Sequence, residues 1–149
     1  MKKALFFLFV LILFFSFNTR EVSACDCIIL TSDNLRKLVE IAYKGSEAVF
    51  LGEVVEINKS PGSNIVKVRF RIEKSWKNIL QKEMLFTTGD DDGSCGYKFE
   101  VEKKYLVYVN GKMNDLEISI CSRTSPSESN KDIIFLNEIK KPRTKFSLR

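Results

Sequence analysis

The residues of this 149-residue chain best equipped for chemistry are its four cysteines, Cys25, Cys27, Cys95 and Cys121, because thiols pair, ligate soft metals or act as nucleophiles. The chain has no histidine, which excludes Ser-His and Cys-His nucleophilic sites and every zinc site that needs an imidazole. Four thiolates could still hold zinc. Zinc knuckles space their ligands Cys-x2-Cys, however, whereas here one pair is separated by a single residue and the other by a long stretch. Disulfides are the expected outcome in an exported chain. A Cys25–Cys27 bond would close a tight, strained ring, so two long-range staples remain, with their partners open between two pairings. Each closes a loop of about 70 residues or more and contributes on the order of 4 kcal/mol through lost chain entropy in the unfolded state.

A second candidate for chemistry is "GDDDGS", from Gly89 to Ser94. Setting Asp90, Asp92 and Gly93 in an EF-hand frame puts Thr88 at the first ligand position and Phe99 where a bidentate glutamate is required. Both ends of the frame fail, and the stretch reads as an acidic surface turn.

The amino-terminal segment has the three parts of an export signal: Lys2 and Lys3, an apolar run from Leu5 to Phe17, and a polar region from Asn18. The run is too short to cross a bilayer, which takes roughly 20 apolar residues, so no transmembrane segment is expected. Val22, Ser23 and Ala24 fit a signal-peptidase site, and cutting after Ala24 makes Cys25 the first residue of an extracellular protein. The same residues also fit a lipoprotein box, which would put lipid on Cys25 and leave one of the other cysteines unpaired. Arg20 and Glu21, lying between the apolar run and the box, argue for the plain signal.

Residues 1–24 are thus read as signal, 25–139 as one domain and 140–149 as a basic, flexible tail containing Lys140, Lys141, Arg143, Lys145 and Arg149. Setting aside Lys2, Lys3, Arg20 and Glu21 from 24 basic and 19 acidic side chains leaves 21 and 18, a net charge of +3. That bias is too weak to point to nucleic acid. Nothing calls for a cofactor, and the domain is expected to be a monomer without enzymatic activity.

The elements that must position the cysteines follow from periodicity. Leu35, Leu38, Val39 and Ala42 recur at helical spacing, with Ser32 or Asp33 as cap and Gly45 just past the end. Ala48 to Asn58 is apolar on both faces, as in the middle of a curled sheet, with Gly52 at a bend. After the turn Pro61 to Asn64, Val66, Val68, Phe70 and Ile72 alternate with Lys67, Arg69, Arg71 and Glu73, giving one core face and one charged, solvated face. Trp76 is expected to plug one end of the core. Glu83 to Thr88, Tyr105 to Val109 and, after a turn at Asn110 to Lys112, Leu116 to Cys121 complete five strands. Ser122 to Asn130 reads as a polar loop and Ile133 to Ile139 as a last helix. Tyr97, Tyr105 and Tyr108 are expected in the core or at its rim. Five short strands with a helix near each end suggest a small closed β-barrel.

The Cys-x-Cys after a signal, followed by "AVFLGEVVEI", "FRIEKSWKN", "CGYKFEVEKKYLVYV" and "CSRTSP", resembles the tissue inhibitors of metalloproteinases and the wider netrin-like module family. The resemblance covers nearly all of the exported chain. It is most specific at Cys25-x-Cys27, at Cys95-Gly96-Tyr97 and at Cys121-Ser122. It implies a mainly β fold, a five-stranded Greek-key OB-fold barrel with short flanking helices. It also implies the pairs Cys25–Cys95 and Cys27–Cys121.

In that family the free α-amine and carbonyl of the first cysteine chelate the catalytic zinc of a target metalloendopeptidase, so Cys25 would be the metal-directed residue. Cys27 would hold the same segment, Asp26 would enter the specificity pocket beside the zinc, and Asp92, Gly93 and Ser94 would form the neighbouring ridge. Burying an unpaired carboxylate costs several kcal/mol, so Asp26 calls for a target with a basic residue in that pocket. Netrin-like modules also serve as non-inhibitory secreted or surface binding modules for a matrix, protein or polyanionic partner, which is the alternative use the resemblance allows.

Overall fold

A computed structural model of the chain describes residues 25, 27, 31–91, 93–112, 115–128 and 130–140. The chain runs α1 (Leu35–Gly45), β1 (Ala48–Lys59), β2 (Ile65–Lys77), β3 (Glu83–Gly89), β4 (Lys104–Lys112), β5 (Asp115–Ile118), β6 (Ser125–Pro126) and α2 (Asp132–Lys140). Residues 1–24, expected to be an export signal, and residues 141–149, expected to form most of a basic tail, lie outside the described residues, as do Asp26 and Asp92.

Strands neighbour one another in the order β1-β2-β3-β5-β4, and β4 returns to pair with β1, closing a five-stranded barrel. All of these pairings are antiparallel except β3 with β5, where Thr87 faces Glu117 and Thr88 faces Ile118. The architecture is OB-fold-like, with two short flanking helices. β1 bends round the barrel through register shifts at Val49/Phe50, Leu51/Gly52 and Val54/Glu56. At Gly52 a Cβ would sit 3.0 Å from the Arg71 carbonyl oxygen and 3.1 Å from the Phe50 ring, so a side chain there would push these neighbours by a few tenths of an ångström.

The apolar character of both faces of β1 has a two-core explanation. Ala48, Phe50 and Val54 point into the barrel with Val68, Phe70, Phe86, Tyr105, Val107, Val109 and Ile118. Val49 points the other way, into a second cluster with Val39 of α1, Leu136 of α2, Trp76, Leu106 and Tyr108. Strand β4 is divided in the same way, with Tyr105, Val107 and Val109 inside and Leu106 and Tyr108 under the helices. Trp76 therefore does not plug the barrel. β2 carries it past the barrel to the helix side, where its Nε1 donates to Asn137 Oδ1 at 3.0 Å.

The second core is locked by one polar cluster. Arg123 grips the buried carboxylate of Asp132 with two bonds of 2.8 Å, and the Tyr108 hydroxyl donates to the same carboxylate at 3.2 Å. Burial, reinforced by the negative Asp132, pushes the Tyr108 phenol well above its ordinary pKa. The backbone N–H of Tyr108 donates to Thr124 Oγ1 at 3.0 Å, tying β4 to the segment before α2.

Several local expectations are corrected. The α1 cap is Asn34, whose Oδ1 accepts from the Lys37 N–H at 3.3 Å, while Ser32 Oγ accepts from the Asn34 N–H instead of capping the helix. Gly45 is the last helical residue, not the first one beyond it. Asn110, Gly111 and Lys112 do not turn: they pair with Glu117, Leu116 and Asp115, and Gly111 at φ 103 supplies a backbone irregularity within β4. β5 ends at Ile118, which leaves Cys121 in a turn. The polar loop contains a short sixth strand, Ser125–Pro126, paired with Leu106 and Tyr105.

Candidate functional site

Parallel pairing of β3 with β5 decides where the cysteines meet. Because the two strands run side by side in the same direction, the segments that follow them leave the same end of the barrel. Cys95 follows β3 and Cys121 follows β5, so these two residues come to lie next to each other. The Cys95 carbonyl accepts from the Ile120 N–H at 3.0 Å, and Gly96 bridges Ser119. Cys121 is held in its turn by Ser119, whose Oγ accepts from the Cys121 N–H at 3.0 Å.

Onto this platform the amino-terminal pair is stapled twice. Cys25 bonds to Cys95, with their Cα atoms 5.3 Å apart, and Cys27 bonds to Cys121, with theirs 5.1 Å apart. The pairing left open by spacing is thus the one the family resemblance implies. Sulfur atoms of Cys25, Cys27 and Cys121 lie within 4.8 Å of one another, but all are committed to disulfides and offer no thiolate to a metal.

The loop between Gly89 and Gly96 forms the ridge beside Cys25. Asp91 Oδ1 accepts from both the backbone N–H and the hydroxyl of Ser94, each at 2.8 Å, giving the self-contained acidic turn that the composition suggests. These bonds from Ser94, to the side chain first and then through the backbone, hold the Asp91 carboxyl below its usual pKa of 3.8. Asp90 pairs with Lys59 across the loop. Gly93 and Ser94 are exposed, next in sequence to the Cys95 that binds Cys25. Cys25, Cys27, Gly93 and Ser94 are therefore brought to one end of the barrel. Asp26 and Asp92, the other two residues expected here, are outside the described residues.

Backbone packing fixes the ridge. A Cβ on Gly96 would lie 2.1 Å from the Gly89 carbonyl oxygen, and one on Gly89 would lie 2.5 Å from the Ser94 carbonyl oxygen. Neither neighbour is a flexible side chain that could step aside. Gly96→Ala is expected to cost about 1–3 kcal/mol by forcing this contact apart. Thermal unfolding measures the loss, with Gly45→Ala, a change at a helical residue where a Cβ meets nothing within 4 Å, as a control expected to hold or slightly raise stability.

The charged face of β2 is laced with ion pairs. Arg69 pairs with Glu56 at 2.8 Å, Arg71 sits 3.7 Å from Glu53 and 3.8 Å from Glu83, and Lys104 of β4 meets Glu73 at 2.7 Å. The hydrogen bond from Arg69 is the main reason the Glu56 carboxyl is held below its usual range. Much of the basic character visible in the sequence is thereby neutralised across strands.

A groove of about 430 Å³ adjoins the Cys27–Cys121 bond, between α1 and the turn after β5, with Leu38, Ile41 and Ile120 among its apolar lining. Ile41 and Ile120 are exposed there, and sequence periodicity missed both because Ile41 lies off the buried stripe of α1 and Ile120 sits in the turn after β5. Compared with known protein families and with curated proteins, the chain matches none.

Proposed function

We propose that the protein is a secreted inhibitor of zinc metalloendopeptidases that acts through the α-amine and carbonyl of Cys25 once the export signal has been removed. The observation that carries this reading is the double stapling of Cys25 and Cys27 to a platform of two adjoining loops, with Gly93 and Ser94 alongside. A terminus anchored at both its first and third residues loses little conformational freedom on binding, so more of its contact energy is expressed as affinity.

Cys25 would supply two donors from one residue. An α-amine titrates at roughly 7.7 to 8.0, so a useful fraction is neutral near pH 7, and coordination to the target's zinc displaces the remaining proton. Its sulfur, engaged by Cys95, is not free for a thioether lipid, which favours the plain signal over the lipoprotein box. Asp26 would enter the target's pocket and select enzymes with a basic residue there. Use of the β2 face to bind a polyanion is weakened by the ion pairs that already occupy Arg69 and Arg71.

The test begins with the unreduced intact mass and the amino-terminal sequence of the exported protein. A chain that starts at unmodified Cys25 and is four hydrogens lighter than its reduced form supports the reading. Inhibition of a metalloendopeptidase with a basic specificity pocket should follow. A lipidated Cys25, or a cut elsewhere, removes the chelating group and the proposal with it.

A further inference from the structure

The two disulfides are not independent. The Cys25 sulfur touches the Cys121 sulfur at 3.5 Å, although each is bonded to a different partner. Cys121 is exposed and the other three cysteines are half-buried, so a small thiol can reach the cluster. Contacts that do not involve the sulfurs keep Cys95 and Cys121 adjacent: the Ile120 N–H to Cys95 carbonyl bond and the Gly96–Ser119 bridge. Cys25 and Cys27, one residue apart, therefore face two acceptors whose positions persist when either disulfide is opened.

We propose that this cluster is an exchangeable pair, in which an external thiol converts Cys25–Cys95 and Cys27–Cys121 into the crossed set Cys25–Cys121 and Cys27–Cys95. The thiolate of the external thiol attacks the Cys95 sulfur, forming a mixed disulfide and releasing Cys25 as a thiolate. Cys25 attacks the Cys121 sulfur that it already touches; a Cys25–Cys121 bond forms, the Cys27–Cys121 bond breaks, and Cys27 leaves as thiolate. Cys27 then attacks the mixed disulfide at Cys95, forms Cys27–Cys95 and returns the external thiolate. Two disulfides exist before and after, and the thiol is a catalyst that is neither oxidised nor reduced overall.

Exchange moves Cys25 from the ridge beside Ser94 to the turn after β5, which re-aims the first residue of the exported chain. This regulatory consequence rests on the inhibitor reading; the sulfur chemistry does not. Because the thiol is only a catalyst, its concentration sets how fast the two termini, one seated for chelation and one not, interconvert, while their ratio is set by the relative stability of the two disulfide sets.

The test uses Cys95→Ser, which leaves three cysteines and one disulfide. After incubation with reduced glutathione to a constant distribution, free thiols are trapped with N-ethylmaleimide at acid pH and located by fragmentation mass spectrometry. Label is expected on both Cys25 and Cys27, in a ratio within about tenfold, because either can hold Cys121. Label on Cys25 alone would overturn the proposal.

Should that variant not fold, the unaltered protein is treated with substoichiometric glutathione, trapped, and cut before Asp26 to separate the two amino-terminal cysteines. Crossed peptides are expected, and native pairs alone would overturn the idea. Protease inhibition is assayed separately, so exchange without inhibition and inhibition without exchange remain distinguishable.

Discussion

Adding one residue ahead of Cys25, or acetylating its α-amine, is expected to abolish inhibition of a sensitive metalloendopeptidase while leaving the fold unchanged. Either change converts a basic amine into an amide nitrogen, whose lone pair is delocalised into the carbonyl and is a very poor ligand for zinc. Loss of one arm of a two-donor chelate also forfeits the advantage of delivering both donors on one ordered residue. The effect should be at least about a thousandfold in the inhibition constant, since losing a zinc-directed contact of even about 4 kcal/mol reaches that size. The barrel itself should not notice. Cys25 is tied through its sulfur, and the platform that receives it is held by Ile120, Ser119 and Gly96. Equal unfolding temperatures for the blocked and free forms, together with lost inhibition, would isolate the amine as the active group. Inhibition that survives blocking would instead assign activity to another surface, the groove beside Ile41 and Ile120 being the apolar one next to the staples.

How far the fold is legible in the sequence depends on whether each element's constraint is local. The alternation in β2 is a local property, and Val68 and Phe70 are buried where the period-2 reading puts them. The disulfide partners are not local. They depend on β3 and β5 lying parallel, a pairing between strands separated by all of β4 that no single segment encodes. Trp76 was misread for a similar reason, since a chain with one core would need a plug at its end, whereas this one has a second core beneath its helices. The Asn-Gly dipeptide at 110–111 carries a genuine backbone signal, a positive φ at Gly111, but the sequence does not say whether that φ serves a turn or an irregular strand. Ser125–Pro126 is invisible by periodicity because two residues have no period; it becomes a strand because Tyr105 and Leu106 offer it an edge. In the candidate site the cysteines were legible by type. The contact between the Cys25 and Cys121 sulfurs was not, because it exists only once both loops converge.

Phe50→Ala should be the most damaging single substitution within the barrel. Phe50 is fully buried on β1, its ring stacks on Phe86 at 5.2 Å between centroids, and it meets Phe70 edge-on at 5.3 Å. Truncation removes the apolar burial and both ring contacts, and leaves a cavity lined by the rings of Phe70 on β2 and Phe86 on β3. Such strands cannot collapse inward without breaking their own ladders, so the expected cost is about 3–5 kcal/mol. For a domain of this size that corresponds to a fall in the unfolding temperature of roughly 10–20 °C. Leu85, 44% exposed on β3, provides the contrast, since Leu85→Ala should change stability by no more than about 0.5 kcal/mol. A loss of less than about 1 kcal/mol in Phe50→Ala would mean that the aromatic cluster does not organise the barrel. Inhibition gives a second readout. Under the proposed function, the variant below its unfolding temperature should inhibit to the same extent as the unaltered protein, because both staples and the ridge lie at the end of the barrel where β3 and β5 finish, outside the Phe50 cluster.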